Sequence, residues 1–178
     1  MNGFGRFIPL LIVVVLVGVF LSAMMSDRNP KEIKSVMIGK PVPTFEIPNL
    51  FDDQPALTDA RLRSGKPVIV NFFASWCLPC RAEHENLVTL ASGYTVDVIG
   101  IAYKDDPEAS RDFLDELGNP YAAAGVDRDG RLAIDWGVSG VPETFFIDGE
   151  GVIRYRHWGP IVGDSLRVQL LPQLEELQ

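Results

Sequence analysis

One stretch constrains the fold of this chain more than any other: the apolar run "PVIVNFF" (67–73), followed at once by "ASWCLPC", which holds both of its cysteines, Cys77 and Cys80. Such a β-branched run of strand length reads as a central strand covered on both faces. After it, Cys80, Leu87, Val88 and Ala91 recur near helical spacing and Ser92-Gly93 supplies a stop, which predicts a helix over 77–91. "VDVIGIAY" (96–103) reads as a second buried strand, completing a strand-helix-strand unit with parallel strands. Downstream, a helix runs from Pro107 to Gly118 with Phe113, Leu114 and Leu117 on one face. "YAAAGV" and "GRLAIDWGV" supply a short strand and a short helix. "VPETFFID" and "VIRYRHW", joined by Gly149-Glu150-Gly151, form an antiparallel hairpin. A last helix covers "DSLRVQLLPQLEEL", capped by Asp164 or Ser165 and kinked at Pro172. The class is α/β, with a parallel pair extended by an antiparallel hairpin.

At 178 residues the chain accommodates one well-packed domain and an appendage. Its net charge of -8 argues against a nucleic-acid partner, which requires a basic footprint. The appendage is N-terminal: Phe7 to Met25 runs uncharged for 19 residues, roughly what a helix needs to cross a bilayer core. No A-x-A cleavage signature follows it, and the run is longer than a usual signal-peptide core, so residues 1–25 are expected to be a retained membrane anchor. The flanking charges, Arg6 before and Arg28, Lys31 and Lys34 after, run against the positive-inside rule for an exported domain. Residues 26–43 read as a tether and 44–178 as the folded domain.

Two cysteines separated by two residues suit several chemistries. A C-x-x-C-H haem anchor fails because Arg81 follows Cys80, and His84 comes too late. Structural zinc normally needs four ligands, and beyond the thiols only His84 and His157 are imidazoles, without the usual spacing. A purely structural bridge around two residues removes little unfolded-chain entropy. A redox dithiol fits best. Cys77 falls where strand passes into helix, so its thiolate meets unpaired N–H groups and the positive end of the helix dipole, which lowers a thiol pKa. Cys80 follows one turn later, placed to resolve a mixed disulfide on Cys77. Pro79 is tolerated in the first turn.

With "VIVNFFASWCLPC" and the distant "GVSGVPETFFID" (137–148) in hand, the chain resembles the CcmG/DsbE family, the membrane-anchored periplasmic reductases of cytochrome c maturation in the TlpA-like group. The similarity runs from about Val36 to the C-terminus. It implies a thioredoxin fold, a central mixed β-sheet flanked by helices, with "YAAAGV" and "GRLAIDWGV" as the family's extra strand and helix and one N-terminal transmembrane helix ahead. It implies a redox-active disulfide Cys77–Cys80, with Cys77 the exposed attacking thiol, Cys80 the resolving thiol and Trp76 beside them. Val141-Pro142 corresponds to the cis-proline dipeptide, with the Val141 backbone available to a substrate strand, and Glu143 to the family's characteristic acid. Asn71 stands where thioredoxins carry a buried aspartate and cannot exchange a proton with Cys80. Glu83 and Glu143 are therefore candidates for tuning the thiols, though Glu83 also reads as a solvated helix position. His84, two turns from Cys77, is too distant for a direct base. The resemblance implies a protein-disulfide reductase that keeps apocytochrome c, or a CcmH-like maturation partner, reduced for haem attachment. A CcdA- or DsbD-like membrane carrier would recharge it at the bacterial inner membrane, with the catalytic domain on the periplasmic side. No cofactor or metal is called for, because the dithiol carries both electrons. A general disulfide oxidant or isomerase, or a non-catalytic peptide-binding module, would share the fold.

Overall fold

The computed structural model describes residues 8–24, 35–51 and 53–177, with side chains of the first segment described to residue 22. Two compact units divide the chain, Met1–Lys34 and Ser35–Gln178. In the first, α1 (Ile8–Met24) is a 17-residue helix whose described side chains are all exposed. Among the described residues no helix is long and apolar enough to cross a membrane. The ends of the expected span, Phe7 and Met25, lie outside the described residues, as do the flanking charges and the tether over 26–34.

The second unit is built on the five-stranded sheet β5-β4-β3-β6-β7. Its strands are β3 (Val68–Phe73), β4 (Asp97–Tyr103), β5 (Ala123–Asp127), β6 (Glu143–Ile147) and β7 (Ile153–Trp158). β3, β4 and β5 are mutually parallel, while β6 pairs antiparallel with β3 and β7. β3 is the central strand, buried at all six positions, as its unbroken apolar run requires. Ile69, Phe73, Val98 and Phe146 pack with Leu87 and Leu90 of α2 (Leu78–Gly93), Phe113 and Leu114 of α3 (Pro107–Leu117), and Leu170 and Leu174 near the C-terminus. The opposite face buries Val70, Phe72, Ile99 and Phe145 under Trp136, under Leu132 of α4 (Arg131–Asp135), and under the segment carrying Val42, Phe45 and Leu62.

Two sequence expectations change. The compact unit begins at Ser35, ahead of Thr44. The reason is backbone pairing: Gly39 N–H donates to the Ile153 carbonyl (2.7 Å), Ile153 N–H to Lys40 (2.9 Å) and Val42 N–H to Gly151 (2.8 Å). The last helix starts without a side-chain cap from Asp164 or Ser165; a π-helical turn (Leu166–Leu170) leads into α5 (Leu171–Glu175), with Pro172 in its first turn. β1 (Glu46–Ile47) and β2 (Leu57–Thr58) pair antiparallel in a stretch for which the sequence predicts no element. Two-residue strands are too short to show a period.

Candidate active site

The strand-to-helix junction after β3 is a tight turn held from outside. Asp105, 7 % exposed, accepts hydrogen bonds from Ser75 N–H (2.6 Å), Ser75 Oγ (2.8 Å) and Ser110 Oγ (2.7 Å). Trp76, well exposed, donates through Nε1 to the Lys104 carbonyl (3.3 Å). Cys77 is the N-cap of α2 and Pro79 sits in the first turn, where a missing N–H leaves no bond unmade. Cys77 and Cys80 are joined in a disulfide with Cα atoms 5.3 Å apart, and Cys80 N–H donates to Cys77 Sγ (3.1 Å). That contact is the start of the anion site expected of a helix N-terminus. Cys77 is 4 % exposed and Cys80 2 %, so the Cys77 thiol that the resemblance implies to be exposed is almost wholly covered in the disulfide form. Beside it lies the Val141-Pro142 peptide, which is cis, with the Val141 carbonyl oxygen 3.6 Å from Cys77 Sγ.

Beneath the disulfide lies a buried polar layer. Asn71, Thr144 and His157 are paired across β3, β6 and β7, so their side chains share the face covered by α2. Asn71 Nδ2 donates to Glu83 Oε1 (2.9 Å) and Thr144 Oγ1 (3.0 Å), while Tyr121 OH donates to Asn71 Oδ1 (2.7 Å). Glu83 Oε2 accepts from Ile161 N–H (2.9 Å). Glu83 is wholly buried, which removes the solvated reading. Desolvation pushes its carboxyl up to about 7, against the Ile161 and Asn71 hydrogen bonds, which favour the ionised form. Tyr121 is raised well above its usual value, first by burial and then by the Glu83 charge.

Glu143 departs from its expected role. Its side chain shares the sheet face of its partner Phe72, opposite α2. There it is bound by Arg156 Nε (2.8 Å) and Nη2 (2.7 Å) and by Ser139 N–H (2.9 Å) and Oγ (2.6 Å). With both partners of the ion pair nearly covered, the carboxylate is compensated and fastens the turn ahead of Pro142. Of the two expected acids, only Glu83 shares the face with Cys80. His84 Nε2 contacts the Gly118 carbonyl oxygen (2.6 Å) and its ring abuts Phe113, a packing role; burial, ahead of Arg81, lowers it despite that hydrogen bond. Trp158, half exposed, donates to Ser139 Oγ (3.2 Å).

Ser139, Arg156, Tyr121, Thr144 and Asp105 escape sequence reasoning, and His157 enters it only as a possible zinc ligand. One signal was available: in "IRYRHW" the alternation places His157 on one face and Arg156 on the other.

A bond that opens to two thiols at a helix start, beside a cis-proline on this sheet order, defines the class as a thioredoxin-like thiol:disulfide oxidoreductase. The Redoxin family matches residues 37–168. A thiol:disulfide interchange protein DsbE of Yersinia pestis is 43 % identical over 97 % of this chain and 93 % of its own length. The thiol:disulfide interchange protein HelX of Rhodobacter capsulatus is 40 % identical over 94 % of each. Among solved structures, a secreted Mycobacterium tuberculosis disulfide oxidoreductase homologous to Escherichia coli DsbE superposes with a TM-score of 0.61 at 25 % identity, over 75 % of this chain and 96 % of that one. The chain belongs to the redoxin family and, within it, to the CcmG/DsbE thiol:disulfide oxidoreductases.

Proposed function

We propose that this chain acts in the reducing direction, as a membrane-anchored periplasmic reductase serving cytochrome c biogenesis. The observation that carries the reading is the Cys77–Cys80 disulfide at the N-cap of α2, facing the cis Val141-Pro142 peptide. In this reading Cys77 thiolate attacks a substrate disulfide, one substrate thiol leaves with a proton, and Cys80 resolves the mixed disulfide, releasing the second thiol. Two electrons pass to the substrate and the enzyme is left as the disulfide, to be reduced again by a CcdA- or DsbD-like carrier. The substrate is the C-x-x-C-H pair of apocytochrome c or a CcmH-like partner. Trp76, Val141 and Pro142 border the reacting sulfur, and Glu83 is the buried acid on the face of Cys80. The uncharged run from Phe7 to Met25 supports retention as an anchor, which raises the effective concentration near other membrane-bound machinery.

Replacing Cys80 with Ser leaves Cys77 unable to be released and traps its clients as mixed disulfides. Recovery of cytochrome maturation proteins on Cys77 is the expected result. Recovery of unfolded export clients alone, together with a reduction potential near that of strong oxidants, would move the protein to the oxidant or isomerase class.

A further inference from the structure

Beside the cis-proline turn a buried ion pair ends on a single hydroxyl. Ser139 Oγ donates to Glu143 Oε1 (2.6 Å) and accepts from Arg156 Nη2 (3.1 Å) and from Trp158 Nε1 (3.2 Å). A serine hydroxyl offers one proton and two lone pairs, so every one of them has its partner. The Glu143–Arg156 pair, almost wholly covered, fixes that hydroxyl, and the indole is what the hydroxyl holds. The next residue continues the attachment: Gly159 N–H donates to the Pro142 carbonyl (3.1 Å). Trp158 is therefore fastened to both ends of the turn whose Val141 carbonyl lies 3.6 Å from Cys77 Sγ. Yet Trp158 is 53 % exposed and belongs to neither apolar core. An aromatic side chain held still without being buried adds little to the core and presents a ready contact surface.

The opposite side of the disulfide repeats the arrangement. Trp76, 60 % exposed, is held through Nε1 by the Lys104 carbonyl, and Leu78, 78 % exposed, follows Cys77. Lys104 follows β4, Cys77 follows β3, Pro142 precedes β6 and Trp158 closes β7. With β3 and β6 between β4 and β7, the disulfide and the cis peptide lie between two anchored indoles. We propose that Trp158 is a specificity-determining residue for polypeptide substrates, taking an aromatic or large aliphatic side chain next to the substrate cysteine that Cys77 attacks, with Ser139 as its positioning residue. The ring is immobile before contact, so stacking on it costs little side-chain entropy. A cationic side chain is the poorer fit, since the Arg156 guanidinium, on the same hydroxyl as the ring, offsets the attraction of the indole face.

This inference rests on the reductase reading, since it needs reduced Cys77 to attack a peptide disulfide, and its test separates the two. Single-cysteine peptides carrying nitrothiobenzoate as a mixed disulfide direct attack to the peptide sulfur, because the aromatic thiol is the better leaving group. Cys77 thiolate bonds to that sulfur as nitrothiobenzoate leaves, and Cys80 then displaces the peptide thiol. Phe, Ser or Lys stands beside the peptide cysteine, and each rate is divided by that of the same peptide with dithiothreitol. The unaltered protein should favour Phe over Ser by about tenfold in kcat/KM, carried by KM, as a stacked aromatic pair supplies. In Trp158→Ala the ratio should fall to about twofold or less, and in Ser139→Ala, which keeps the ring but frees it, to between the two. An unchanged ratio in Trp158→Ala overturns the proposal, as does a preference for Lys over Phe. A parental ratio in Ser139→Ala overturns the positioning role of that hydroxyl. Should either variant fail to fold, the unaltered protein decides: equal rates with Phe and Ser overturn the proposal, whereas attack on none of the peptides removes the reductase reading and the inference with it.

Discussion

At the scale of the residue, a single substituted side chain reorganises the chemistry under the disulfide. Asn71 cannot carry a proton, and its amide instead spans Glu83, Thr144 and Tyr121. The titrating group is Glu83, displaced from the central strand to the helix above it. Its carboxyl rises from 4.5 to about 7 because burial outweighs the two hydrogen bonds to it. Between those values the folded protein holds a proton that the unfolded chain has released. The stabilisation from this group is therefore fully present below about pH 4.5 and is lost as pH rises through about 7. Glu83→Gln carries no ionisable group there. Denaturant unfolding of the oxidised proteins should show the stability of Glu83→Gln relative to the parent improving by up to about 3 kcal/mol between pH 5 and pH 8. Parallel pH dependences in the two proteins would show that Glu83 titrates normally.

At the scale of the element, the close approach of Tyr121 to β4 depends on a glycine. A Cβ built on Gly100 would lie 2.7 Å from Tyr121 Cδ2 and 2.8 Å from Cγ, so the ring rests directly on the strand backbone. From there its hydroxyl reaches Asn71, the residue paired with Gly100 across the β3–β4 ladder. Gly100→Ala should lift the ring, break that hydrogen bond and lower stability by about 1–3 kcal/mol, read from the shift in urea midpoint at constant slope. Wild-type stability in that variant would mean that the ring can settle elsewhere at no cost. This contact also marks where sequence reading stops. β3, α2, β4, α3 and the β6–β7 hairpin are legible because each repeats its period over several residues or carries a turn signal. Cys77 and Cys80 are legible from spacing, and Pro142 from resemblance. Tyr121, Thr144, Arg156 and His157 are not, because their partners are set by strand register across separations as large as 73 residues. Glu143 was legible as a site residue and misleading in role, since only the register reveals that it faces away from α2 and meets Arg156.

At the scale of the whole molecule, the boundary between appendage and domain has a structural cost that composition conceals. Residues 35–43 contain a lysine, a glycine and two prolines, as a linker would, yet they lie along the hairpin of β6 and β7. Val42 is 2 % exposed in the core, and its carbonyl accepts from Arg63 Nη2 (2.9 Å). Gly39 makes the approach possible with φ of 81°, a conformation that only glycine adopts without strain. Together these contacts cover backbone at the start of β7, an edge strand whose free amides would otherwise face solvent. A chain beginning at Thr44 should therefore be less stable than one beginning at Ser35 by about 2 kcal/mol, the burial of one valine and a few net hydrogen bonds less the entropy of ordering the segment. For a domain of this size that corresponds to a fall of about 5 °C in Tm. The loss should also be local before it is global. The Ile153 amide, which donates to Lys40, should exchange with solvent deuterium markedly faster in the shorter chain, whereas the Phe72 amide in the central strand should slow or quicken only with overall stability. Equal Ile153 exchange in the two chains would return residues 35–43 to the tether and move the start of the domain to Thr44.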